Sequence, residues 1–176
     1  MSDATDDLLA AQDGDPRAFE RFVRATRSDV ARFCRYVNRD GDVDDLVQET
    51  YLRALRTMGR FRADGPALRW LLVIARRVCA DAVDRQVRSR RTPPVVVTLT
   101  TSDVSDEHAV LALVDSLEPA QRQAFVLTQL LGFSYDDAAA ICECPIGTIR
   151  SRVARARAAL VASVARAERQ ACRGER

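Results

Sequence analysis

The 176-residue chain contains no lysine, a single histidine and only seven glycines, and each shortage closes off some chemistry. All 27 basic residues are arginine. This reflects the codon usage of a GC-rich genome more than chemistry, but guanidinium groups suit phosphate and guanine. The lone His108 reads as a solvent-exposed helix-start residue, so no histidine-centred catalysis or metal site is expected. No glycine-rich phosphate loop, nucleophile elbow or paired catalytic carboxylates occur, which speaks against an enzyme and against a cofactor. No apolar run approaches the ~18 residues a membrane helix needs, and no basic-apolar-cleavage pattern opens the chain. Membrane insertion and secretion are therefore not expected. The five cysteines, Cys34, Cys79, Cys142, Cys144 and Cys172, are odd in number and scattered, unlike an extracellular disulfide framework. A reducing cytoplasm fits them. Cys142-Glu143-Cys144 has no second Cys or His cluster beside it, so zinc is not expected there either.

What the chain does contain is 47% hydrophobic and 30% charged residues, enough for one core or for two small ones of roughly 70 to 90 residues. Its formal charge of +2 conceals segregation. Residues 1–52 carry −5, residues 53–91 carry +8, residues 92–137 carry −6 and residues 138–176 carry +5. Two basic blocks imply two polyanion contacts.

Apolar residues recur at three and four positions, so the fold class expected is all-α. Asp15 before Pro16 starts a helix whose stripe runs Phe19, Phe22, Val23, Thr26, Val30, Phe33, Cys34 and Val37. Asp42, with Asp45 three residues on, resembles a capping box, and Val43, Leu46, Val47, Thr50, Tyr51, Ala54, Leu55 and Met58 form the next inward stripe, ending at Gly59. A third helix begins near Pro66 and turns arginine-rich in its second half. Pro93-Pro94, a short valine run and then Thr, Ser and Asp have no helical period. An extended linker over residues 92–106 is preferred to a lone, unpartnered strand. Beyond it, Val110, Leu111, Val114 and Leu117 make one helix, Glu118-Pro119 starts another, Ser134 caps Tyr135 to Cys142, and Pro145 opens a helix running to about Ala167. The last two helices read as a helix-turn-helix.

In the final helix Ile146, Ile149, Val153, Ala156 and Leu160 share an inward face. Thr148, Ser151, Ala154, Arg155 and Ala158 face outward, flanked by Arg150, Arg152 and Arg157. Small residues at the centre with guanidinium groups at the rim suit a major groove. On the second helix, Asp45, Gln48, Glu49, Leu52 and Arg56 lie opposite the core stripe, an acidic and amide patch around one exposed leucine that reads as a docking surface.

Asp45-Leu46-Val47-Gln48-Glu49-Thr50-Tyr51-Leu52-Arg53-Ala54, with Phe61-Arg62, Trp70-Leu71 and Ile74-Ala75-Arg76, resembles the region 2 domain of extracytoplasmic-function sigma factors, in the sigma-70 family. Leu117-Glu118-Pro119 with Arg122, Gly132-Phe133-Ser134-Tyr135 and Pro145 to Arg152 with Arg155-Ala156-Arg157 is similar to the region 4 domain. The resemblance covers nearly the whole chain and implies two helical domains: region 2 over residues 1–91 and region 4 over residues 107–176, joined by the 92–106 linker.

It further implies a non-enzymatic specificity subunit that binds core RNA polymerase and directs initiation at promoter DNA. Asp45, Gln48, Glu49 and Leu52 would dock on the β′ clamp, with region 4 on the β flap. Phe61, Arg62, Trp70, Arg76, Arg77, Arg85 and Arg88 would engage and open the minus 10 element, capturing a flipped base and holding the single strand. Thr148, Arg150, Ser151, Arg152, Arg155 and Arg157 would read the minus 35 element. Many relatives also bind an anti-sigma factor, which adds a candidate partner.

Two positions depart from the family: Arg77 stands where many members have an Asn that shapes the flipped-base pocket, and Ala154 where some carry an aromatic. The first bears on which base is captured, not on melting. The alternative reading is a helix-turn-helix regulator that binds DNA without polymerase, residues 1–91 serving as its dimerisation or effector domain. A dimer would bury the Asp45 to Ala54 face against itself, whereas a sigma factor leaves it open.

Overall fold

A computed structural model describes residues 4–38, 41–89 and 106–174. Eight α-helices are found among them: α1 (Ala4–Gln12), α2 (Pro16–Val37), α3 (Val43–Thr57), α4 (Ala67–Ser89), α5 (Asp106–Asp115), α6 (Pro119–Phe125), α7 (Tyr135–Cys142) and α8 (Ile146–Gly174). The chain divides into two compact units. Helices α1 to α4 make the first, and α5, α6 and α8 are the body of the second, with α7 between α6 and α8 along the chain. The expected linker lies outside the described residues apart from Asp106, where α5 begins. No described helix is long and apolar enough to cross a membrane.

In the first unit, α2 lies at the centre and packs on α1, α3 and α4. Asp15 starts it as the sequence indicates: its carboxylate accepts from the Arg17 amide at 2.9 Å, and Pro16 fills the first helical position, where a missing N–H costs nothing. Phe22, Val30, Phe33 and Cys34 are fully buried on one face of α2. Leu46, Val47, Thr50 and Ala54 answer from α3, and Leu71, Leu72, Ala75 and Val78 from α4. The two buried threonines are satisfied locally, Thr26 donating to the Phe22 carbonyl and Thr50 to that of Leu46, each at 2.7 Å. Tyr51 crosses from α3 with its ring edge-on to Phe22 and its hydroxyl 2.8 Å from that of Thr26.

Three sequence expectations change here. No element was expected before Asp15, yet Ala4–Gln12 is helical, with Leu8 and Ala11 buried against α2 and buried Asp7 bonded to Arg21 at 2.7 Å. Its amphipathic pattern is only nine residues long, too short for periodicity to stand out. Leu55, expected in the core stripe, is 47% exposed, because Ala54 beside it takes the inward position. The second stripe ends at Thr57 and a 3₁₀ turn over Met58–Arg60 follows, so Gly59 lies inside that turn.

The second unit packs α6 against α8, with α5 also touching α8. Buried Arg122 organises it. Its guanidinium donates to the backbone carbonyls of Asp115 and Leu117 at 2.6 and 3.2 Å and pairs with the Asp115 carboxylate at 3.3 Å, which pins the turn from α5 into α6. After α6 the backbone widens into a π-helical turn, Val126–Leu130, which the sequence did not announce and which buries Val126 and Leu127 together. Ser134 caps α7 through the Asp137 amide at 3.0 Å, and Glu143, at φ 53°, makes the left-handed turn before Pro145. Val110 is exposed rather than inward, and α8 continues past Ala167 to Gly174.

Burial pushes the Tyr51 hydroxyl up to about 12, the Thr26 hydrogen bond opposing this only in part. The folded state thus holds this proton more tightly than the unfolded chain. The associated stability is complete below pH 10 and is lost as pH rises towards 12. Urea unfolding of wild type and Tyr51→Phe across that range should show wild type losing stability faster with pH, with parallel curves below about pH 9.

Candidate functional site

Three surfaces carry the residues singled out by sequence. The first is the outer side of α3. Once Leu46, Val47, Thr50 and Ala54 are turned inward, the helical repeat leaves Asp45, Gln48, Glu49 and Leu52 outward. Leu52 is 41% exposed. It stands on the ridge between two grooves. One, of about 820 Å³, runs between α3 and α4 and is lined by Asp45, Gln48, Glu49, Arg53, Asp81 and Arg85 among others. The other, about 420 Å³ and more apolar, lies between α2 and α3 beside Phe19, Val23, Tyr51 and Leu55.

Arg53 ties the wider groove together. It pairs with Glu49 one turn back at 2.7 Å and with Asp81 of α4 at 2.6 Å, and Asp81 and then Glu49 raise the guanidinium above its ordinary pKa. Glu49 is thereby partly neutralised, while Asp45, Gln48 and Leu52 project outward. Leu55 and Arg53 were missed as parts of this surface. The available signal was the three-residue spacing of Leu52 and Leu55 on a helix whose next residue inward is only an alanine.

The second surface surrounds the loop into α4 and the first half of that helix. Phe61 begins the loop with its ring 5.5 Å from that of Trp70, so the two aromatics brace one another. Arg62 and Arg77 are exposed. Trp70 and Arg77, with Arg53, Thr57, Arg60, Val73 and Ile74, line a pocket of about 430 Å³. Arg76 lies beside Arg77 on the same stretch of α4. The seven residues grouped by sequence do not form a single cluster. Residues 70 and 88 are roughly 27 Å apart along the helix axis. Arg85 and Arg88 instead line the α3–α4 groove, bonded to the backbone carbonyls of Asp81 and Asp84 at 3.3 and 3.2 Å. Arg60 was missed, although Arg60-Phe61-Arg62 already alternates cation and ring.

The third surface is the outward side of α8. Ile149, Val153 and Ala156 are buried, leaving Arg150, Ser151, Ala154, Arg155 and Ala158 exposed together. Thr148 is half-buried, and the Ser151 hydroxyl bonds back to its carbonyl at 2.9 Å. Arg157 donates to Gln129 at 2.7 Å and Arg152 lies 3.7 Å from the Cys144 sulfur, which leaves Arg150 and Arg155 as the more forward cations. No group of three or more metal-ligating side chains occurs among the described residues.

The Sigma-70 region 2 family model matches residues 22–89, and the Sigma-70, region 4 model matches residues 107–160. The chain is 50% identical over 163 residues to the ECF RNA polymerase sigma factor SigC of Mycobacterium tuberculosis, covering 88% of this chain and 87% of that one. Among solved structures it resembles CnrH, determined with the cytosolic domain of CnrY, at a TM-score of 0.71 and 27% identity over 90% of this chain and 94% of that one. It also resembles the Bartonella quintana sigma factor RpoE, determined with the anti-sigma factor NepR, at a TM-score of 0.70 and 29% identity over 81% and 93% of the two chains. The chain belongs to the extracytoplasmic-function sigma factors of the sigma-70 family, non-enzymatic subunits that direct promoter-specific transcription initiation with core RNA polymerase.

Proposed function

We propose that the three surfaces divide the work of initiation between them. The outer side of α3, with Asp45, Gln48, Glu49 and Leu52, docks on the β′ clamp of core polymerase, and the second unit sits on the β flap. The loop into α4 captures the minus 10 strand through Arg62, Trp70, Arg76 and Arg77, with Phe61 supporting Trp70. Arg85 and Arg88 serve the strand's backbone from the far end of α4. The outward face of α8, with Thr148, Arg150, Ser151, Arg152, Arg155 and Arg157, reads the minus 35 element. On this reading residues 1–91 and 107–176 are the functional domains and 92–106 the linker, all acting in the cytoplasm. An anti-sigma factor is a further partner, as in the complex of the Bartonella quintana RpoE with NepR.

The observation that carries this reading is Leu52: an exposed leucine standing between two grooves and beside Gln48 and Asp45. A small apolar anchor with polar neighbours is how a helix face supplies binding energy without dimerising on its own. Leu52→Ala and Gln48→Ala should each weaken core polymerase binding by about tenfold, the loss typical of an interface anchor, with little change in unfolding free energy. Titration of labelled core enzyme checks this. Wild-type affinity in both variants removes the docking assignment, and a stable dimer through this face would favour the helix-turn-helix regulator.

The two promoter contacts should separate by mutation. Arg155→Ala should lose about 1 to 3 kcal/mol of discrimination at the upstream element while leaving opening of a premelted downstream bubble intact, measured by competition binding. Arg77 lines the Trp70 pocket, where a long cation favours phosphate clamping over close base reading. Arg77→Asn should therefore change the bases selected from a minus 10 library without changing upstream recognition. Identical selections and permanganate footprints for the two proteins would make Arg77 a surface arginine only.

A further inference from the structure

The loop between α3 and α4 is short, exposed and strained. Ala63 adopts φ 55°, in the left-handed region that a residue with a Cβ avoids. Such a conformation persists only when the surroundings over-determine it. Arg69 of α4 holds the far side of Ala63, donating to the Asp64 carbonyl at 2.7 Å, and the ends of the loop are held from α1, which precedes the stretch matched by the region 2 family model.

Gln12, the last residue of α1, donates both hydrogens of its amide nitrogen into the start of the loop, to the Met58 carbonyl at 2.5 Å and the Phe61 carbonyl at 3.0 Å. Both partners are acceptors, so the orientation of the amide is dictated: only its NH₂ end can face them. At the other end of α1, the Thr5 hydroxyl accepts from the Ala67 amide at 3.2 Å, covering one of the N–H groups that open α4. One nine-residue helix therefore holds the loop at both ends, with Arg62 and Ala63 in the span between. The helix is itself anchored, by buried Leu8 and Ala11 and by the Asp7–Arg21–Asp15 ion pairs at 2.7 and 3.1 Å.

We propose that α1 is a brace that pre-forms the minus 10 loop, with Gln12 and Thr5 as its positioning residues. This rests on the reading of the loop as the strand-capturing element. A loop already in its binding shape loses less conformational freedom when it meets DNA, so the brace acts on strand capture and not on core docking or upstream recognition. Gln12 touches no promoter contact directly. It acts through the backbone that places Phe61, and through the Phe61 ring it sets Trp70.

Trp70 is the chain's single tryptophan and its ring packs on Phe61, so its fluorescence in the full-length protein reports on the packing at the start of the loop. Gln12→Met keeps the side-chain length and removes both donors. It should raise acrylamide quenching of Trp70 and weaken capture of a minus 10 single-stranded oligonucleotide by the holoenzyme about five- to tenfold, as expected for one or two lost neutral hydrogen bonds. Thr5→Val, at the other end, should shift both readings in the same direction. Val30→Ala, a truncation of the α2 core, shows what lost stability does by itself and should move neither reading below its unfolding transition. The brace is overturned if Gln12→Met and Thr5→Val keep wild-type quenching and capture while Arg62→Ala still weakens capture. If Arg62→Ala also captures the strand normally, the loop is not the promoter contact, and the proposal fails together with the reading beneath it.

Discussion

A helix packed into a unit this small can turn only one stripe inward, and the partner-facing chemistry of the chain follows from that limit. With Leu46, Val47, Thr50 and Ala54 committed to the core shared with α2 and α4, the rest of α3 has to face solvent or a partner. Leu52 and Leu55 are left outside by helical geometry, with a groove on either side of Leu52 where α3 meets α4 and α2. The same limit operates in α8, where burying Ile149, Val153 and Ala156 presents Arg150, Ser151, Ala154 and Arg155 together on the other side.

Charge is arranged on this frame more finely than the alternating blocks suggest. Acidic residues of the first block are spent in part on structure: Asp15 caps α2, Asp42 caps α3, and Asp7 and Asp15 hold Arg21. An exposed pair such as Arg21–Asp15 adds little stability by itself. The importance of these pairs lies in direction. Arg53 is held by Glu49 and Asp81 along the α3–α4 groove, whereas Arg62 projects from the loop. Arginine therefore has three separable roles in one chain: buried strut at Arg122, groove-bridging cation at Arg53, and outward cation at Arg62 and Arg155.

A specificity subunit without catalytic groups works by offering complementary surfaces in a fixed register, so its precision depends on how firmly each surface is held. The second unit does this with a guanidinium that ties the α5–α6 turn to backbone carbonyls, backed by a π-helical turn that sets two apolar side chains inward. In the first unit the equivalent service comes from Gln12 and Thr5, outside the recognisable motif, at the two ends of the nine-residue connection from Met58 to Pro66 that carries a left-handed alanine.

Helices long enough for three or more turns were legible before any coordinates, because the apolar repeat of α2 runs unbroken from Phe19 to Val37 and Asp15-Pro16 names its start. The outward faces of α3 and α8 were legible for the same reason: helical period alone assigns Leu52 and Arg155 to the side opposite the core. Short elements and cross-chain contacts were not. Nine residues give α1 no statistical period, Ala54 rather than Leu55 turns inward only because α2 and α4 set the angle of α3, and Arg85 and Arg88 part company with Arg62 because a rigid helix keeps them apart along its length. Sequence by itself determined the long helices and which of their faces are polar, since those depend on neighbours three and four positions away. Only the tertiary structure decided that Gln12 reaches Phe61, that Arg53 reaches Asp81, and that Leu52 stands between two grooves, because each depends on elements the chain order keeps apart.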